Sequence, residues 1–129
     1  MERADYQREV VAVVSANAKI RKLIFAASRA PTLQLAQVRV ETIRMTLTES
    51  ANRLDALAPP EDAADANELL VAGLRELEES TAALAAAAEA ETLRPLAAFA
   101  DVLTASPGSR KVEAGIQKLE ESGYSFRPT

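Results

Sequence analysis

The segment Leu54-Asp-Ala-Leu-Ala-Pro59-Pro60-Glu-Asp-Ala-Ala-Asp-Ala-Asn-Glu-Leu-Leu70 constrains the fold more than any other. Apolar residues recur at helical spacing on both sides of the proline pair, and a helix interior tolerates neither proline. Two helices joined by so short a break fold back on one another. The expectation is an all-α fold, an antiparallel up-and-down bundle of four to five helices with coiled-coil-like stripes. At 129 residues the chain is one domain by length, spanning residues 1–129.

The helices are predicted at about 2–29, 33–57, 61–91, 95–105 and 107–122. In the first, Tyr6, Val10, Val13, Asn17, Ile20, Ile24 and Ala27 recur at steps of three and four, which is one helix face. Val11, Val14, Leu23 and Phe25 widen that face beyond a single contact, and they are the candidate interface residues. Asn17 interrupts the apolar stripe, and Asn67 lies just inside the third helix. Both are candidate buried polar residues; at such a seam position an Asn sets register or pairs with another buried polar group.

Pro31 ends the first helix, and Thr32 is placed to cap the second. Leu33, Ala36, Val40, Ile43, Leu47, Ser50, Leu54 and Leu57 then hold a heptad-like stripe. At 1.5 Å per residue this helix is about 37 Å long. Glu61, Asp62 and Asp65 open the third helix, where negative charge suits the positive end of the dipole. Its predicted core positions are Ala63, Ala66, Leu70, Leu74, Leu77, Leu84 and Ala88, with Arg75, Glu76, Glu78 and Glu79 on the solvent side. Pro95 breaks it, and Leu96, Phe99, Ala100 and Leu103 form the buried face of a short fourth helix. Ser106-Pro107 reads as cap and first residue of the last helix, which buries Val112, Ile116 and Leu119 and stops at Gly123. Tyr124 and Phe126 are expected to pack back onto the bundle end.

The chain has no cysteine and no histidine. That removes thiolate and imidazole metal ligands, thiol nucleophiles and the commonest general base. No calcium-loop, phosphate-loop or nucleophile-elbow pattern is present. The acidic pairs Glu78-Glu79 and Glu120-Glu121 fall on predicted solvent faces. The reading is therefore non-enzymatic, with no cofactor, no metal and no catalytic residue.

Charge is unevenly distributed. Residues 1–58 carry a net +3 and residues 59–129 a net −7, within an overall −4. The two halves are expected to face one another with complementary fields. Lys19, Arg21, Lys22 and Arg29 read as a solvated face, with an acidic partner or anionic headgroup as the alternative. An acidic chain without interleaved basic and aromatic residues does not fit nucleic acid. No apolar run reaches transmembrane length, and the start, Met-Glu-Arg-Ala-Asp-Tyr, lacks the apolar core of a signal peptide. The location expected is cytoplasmic, or extracytoplasmic if a leader has been removed ahead of Met1.

The stretch from Leu54 to Leu77 resembles a hairpin of small, uncharacterised helical proteins of bacteria, many of them secreted or lipid-anchored and actinobacterial. The ending Lys118-Leu-Glu-Glu-Ser-Gly-Tyr124 is similar to theirs as well. Those relatives often have a histidine near the position of Asn67, which this chain lacks. The resemblance implies an extracytoplasmic setting and no particular reaction. The resulting expectation is an interaction or scaffold module that binds a partner protein or itself. The alternative is a bundle that holds a small apolar ligand or lipid, with Asn17 or Asn67 orienting it.

Overall fold

The computed structural model describes residues 1–29, 32–89 and 106–126. Among them lie four α-helices and no strand: α1 (Arg3–Ser28), α2 (Leu33–Asp55), α3 (Ala64–Glu89) and α4 (Pro107–Glu121). A single 3-10 turn, Glu61–Ala63, leads into α3. The all-α bundle is thus observed. The helix expected at 95–105 lies outside the described residues, as does the stop at Pro31. So do the side chains of Ile24, Phe25, Ala27, Leu33, Ala36, Leu84 and Ala88.

Local chemistry sets the helix ends. The Thr32 hydroxyl accepts from the Leu35 N–H at 3.2 Å, and the Ser106 hydroxyl accepts from the Ser109 N–H at 3.3 Å. Pro107 follows at the first helical position, where its missing N–H costs nothing. Gly123 ends α4 with φ +99°, a left-handed conformation that suits glycine. There the Tyr124 N–H bonds the Leu119 carbonyl at 3.0 Å, and the Gly123 N–H bonds that of Glu120 at 3.1 Å. This pair of bonds satisfies carbonyls that the helix would otherwise leave open. Helix α2 ends two residues before the predicted Leu57, because the approach to Pro59-Pro60 takes the chain out of helical geometry.

Each helix packs against its chain neighbour, α1 on α2, α2 on α3 and α3 on α4. The core is built from Tyr6, Val10, Val13 and Ile20 of α1, and from Val40, Ile43, Leu47, Ala51 and Leu54 of α2. Ala63, Ala66, Leu70, Leu74, Leu77 and Leu119 continue it. Tyr124 and Phe126 fold back as expected and close one end. Val112 and Ile116 are half-buried against this core, less deeply than the periodicity implies. Arg75, Glu76 and Glu78 are also half-buried rather than fully solvent-facing. Glu76 accepts an ion pair from Lys111 of α4, and Arg75 reaches Asn52 of α2 at 2.9 Å.

The closest packing is between α3 and α4. A Cβ built on Gly73 would lie 2.6 Å from the Gly108 carbonyl oxygen and 2.9 Å from the Val112 nitrogen. One built on Gly115 would lie 3.0 Å from the Ala66 carbonyl oxygen. Ala66 and Gly73 are one heptad apart on α3, and Gly108 and Gly115 one heptad apart on α4. In the antiparallel pairing Gly73 meets Gly108 and Ala66 meets Gly115. The backbones approach closely at both levels, at a distance that even a methyl at Gly73 or Gly108 would not fit without a shift.

Candidate interaction surfaces

At the closed end, α1 and the chain after α4 are tied together. The Tyr6 ring meets Tyr124 edge-on at 5.8 Å, and Tyr124 stacks with Phe126 at 6.3 Å. The Arg3 guanidinium lies 4.5 Å from the centre of the Tyr124 ring. It also bonds Asp62 at 2.7 Å and the Ser122 carbonyl. Asp62 accepts a second bond, from the Tyr124 hydroxyl at 3.0 Å. Burial, followed by the bond to Asp62, raises the Tyr124 phenol above its ordinary pKa. Arg3, Asp62 and the Tyr124 hydroxyl are paired with one another, so the cluster closes the bundle end.

Asn67 is buried as expected, and its role is structural. Its Oδ1 accepts from the Tyr6 hydroxyl at 2.8 Å, and its Nδ2 donates to the Leu54 carbonyl at 3.1 Å. It thereby links α1, α2 and α3 at one level, adding a second bond to the Leu54 carbonyl, which also accepts from the Leu57 N–H at 3.2 Å beside the proline break. Asn17 differs. The residue is only half-buried, yet its Oδ1 is shut off from solvent and has no hydrogen-bond partner among the described residues.

Of the candidate interface residues, Val14 and Leu23 are half-buried against the core cluster. Val11 is 38% exposed, and the Phe25 side chain lies outside the described residues. Arg8, Val11, Ser15, Ala18 and Lys22 recur along α1 at steps of three and four, and all five are exposed. Lys19 borders them and is exposed too. Among the described residues, neither lysine has a carboxylate partner; Arg8 pairs with Asp5 on its own helix.

The acidic half points outward as well. Asp65, Glu68 and Glu79 are exposed on α3 and have no cationic partner among the described residues. The expected facing of the two halves amounts to few contacts. Arg3–Asp62 joins them with the expected sign, and Arg75–Asp55, at 3.7 Å, joins them with the opposite one. On α1 and α2, Glu9 pairs with Arg53 within the basic half, and that hydrogen bond holds the Glu9 carboxyl below its ordinary pKa.

A further apolar pair, Val38 and Met45, stands 62% and 53% exposed one heptad apart on α2. Sequence reasoning passed over it because Val38 and Met45 lie outside the main stripe of that helix. Among the described residues, a cleft between α1 and α2, lined by Ala12, Ala16, Thr46, Ser50 and Arg53 among others, has about 120 Å³, and another on α2, lined by Arg44, Met45, Thr48 and Glu49, has about 220 Å³. Small-molecule sites are typically several hundred Å³. Among the described residues, no group of three or more acidic side chains is placed to hold a metal ion, and no helix is long and apolar enough to cross a membrane.

No protein-family model matches this chain, and the searches of curated proteins and of solved structures likewise find no match.

Proposed function

We propose that the protein is a non-enzymatic interaction module that meets a protein partner through the outward faces of its helices. One observation carries this reading. Lys19 and Lys22 stand on a solvent face of α1 with exposed Val11 between them and Arg8, and no carboxylate of the described chain neutralises either lysine. Unpaired charge beside exposed apolar surface suits recognition, since the apolar part supplies burial and the charge supplies steering and register. Asn67, one of the buried polar side chains, favours the same reading, because its amide is engaged by Tyr6 and Leu54.

The test places a photo-cross-linking phenylalanine analogue at position 18, in the middle of the α1 face, in cells that express the protein naturally. The expected result is a discrete adduct of higher mass after illumination. Illumination that yields the unmodified chain alone would overturn the reading.

A further inference from the structure

The outward faces of α1 and α3 are complementary when run antiparallel. Along α1 the positions Lys22, Ala18, Ser15, Val11 and Arg8 descend by steps of four and three. Along α3 the positions Asp65, Leu69, Ala72, Glu76 and Glu79 ascend by the same steps, with Glu76 at the edge of the face, half-buried and ion-paired with Lys111 of α4. Laid against each other, Lys22 meets Asp65, Arg8 meets Glu79, and Lys19 meets Glu68 at the flank. Between the charged ends, half-exposed Leu69 and Ala72 face the small residues Ala18 and Ser15. A bulky residue against small ones is the arrangement that lets two helices interlock. Within one molecule these faces do not meet; α1 and α3 are joined through Tyr6 and Asn67 on their inner sides.

We infer that the partner of the α1 face is the α3 face of a second copy of this chain. This inference rests on the interaction reading above and names its partner. The contact joins two different surfaces, so it is head-to-tail and each added copy still presents one face of each kind. The paired stretch, Arg8 to Lys22, is about 21 Å long at 1.5 Å per residue. Two helices over that length bury less than the roughly 1,200 Å² of a stable complex, which places the assembly in the weak, concentration-dependent class. Exposed ion pairs set its register, so salt dissolves it.

Sedimentation of the full chain at rising concentration, in low and in moderate salt, tests this with two variants at exposed positions. Lys19→Glu/Lys22→Glu spoils the α1 face and leaves α3 intact. Asp65→Asn/Glu68→Gln neutralises the α3 face and leaves α1 intact. The wild type is expected to grow beyond a dimer in low salt and to dissociate in moderate salt. Each variant alone is expected to associate at least roughly tenfold more weakly, with unchanged circular dichroism. Mixed in equal amounts, the two have one good face each and are expected to form a capped one-to-one dimer. A wild type that stays monomeric in low salt overturns the inference. So does association that ignores both variants, or a mixture that stays monomeric. The cross-linking experiment separates the two levels: an adduct with a different polypeptide refutes the second copy and keeps the interaction reading, whereas no adduct refutes both.

Discussion

Replacing Gly73 by alanine sets two physical effects against each other. In an unconstrained helix interior the change stabilises by about 1 kcal/mol, because alanine loses less backbone entropy. Here the new methyl would sit 2.6 Å from the Gly108 carbonyl oxygen, 2.7 Å from Val112 Cγ2 and 2.9 Å from the Val112 nitrogen. Two of these three atoms belong to backbone and cannot rotate away, so α4 must move outward as a body. Overpacking of this kind costs about 1–3 kcal/mol, and the shift also loosens Leu70, Leu77 and Val112 along the same seam. The net expectation is a loss of about 1–2 kcal/mol. For a domain of this size, unfolding entropy near 2.1 cal/mol/K per residue converts that to about 4–7 °C in Tm. Urea titration followed by circular dichroism measures it, with an unchanged slope confirming that the same surface unfolds. A variant more stable than the wild type would refute the seam, because propensity alone would then govern position 73.

The Asn67 link makes a second prediction. Asn67→Ala strands the buried Tyr6 hydroxyl and removes one of the two bonds to the Leu54 carbonyl, and is expected to cost about 1–3 kcal/mol; after Tyr6→Phe the same change costs less, and strict additivity in the double-mutant cycle would contradict the shared bond. At alkaline pH, burial raises the Tyr6 phenol well above its ordinary value, with the Tyr124 charge adding to the effect. A raised folded pKa contributes stability that is complete below the unfolded value near 10 and is lost as pH rises past it. Chemical denaturation from pH 8 to 11 should therefore show a decline above about pH 10 that Tyr6→Phe makes shallower, and equal slopes would count against a buried neutral phenol. Asn17→Ala removes an orphan acceptor and improves helix propensity, so stability is expected to rise by roughly 1 kcal/mol; a comparable loss would mean that something in solution satisfies that oxygen.

The features legible in the sequence were those with local causes. Pro59-Pro60 marked the hairpin, Thr32 and Ser106-Pro107 marked helix starts, and Gly123 marked a stop, each through chemistry confined to a few neighbouring residues. Periodicity then placed Val40, Ile43, Leu47, Leu54, Leu70 and Leu74 in the core. The tightest contact was missed because it is made by residues with little or no side chain. Hydrophobic patterning does not register Gly73, Gly108 and Gly115, although Ala66 with Gly73 and Gly108 with Gly115 share a seven-residue spacing that signals close approach. Val14 and Leu23 looked like surplus apolar surface because a stripe shows which residues are apolar, not how many neighbours share the helix; both lie half-buried against the core. Charge by halves was visible, but its direction was not. Lys19, Lys22, Asp65 and Glu68 belong to the expected halves and face solvent rather than each other.

If the outward faces of this bundle recognise protein, as proposed, native mass spectrometry of the purified chain at low and moderate salt will show it. Whole-number multiples of the chain mass are expected at low salt, collapsing to the bare monomer as salt rises. A monomer at every salt that carries a reproducible small-molecule mass would contradict the proposal and move recognition to the interior.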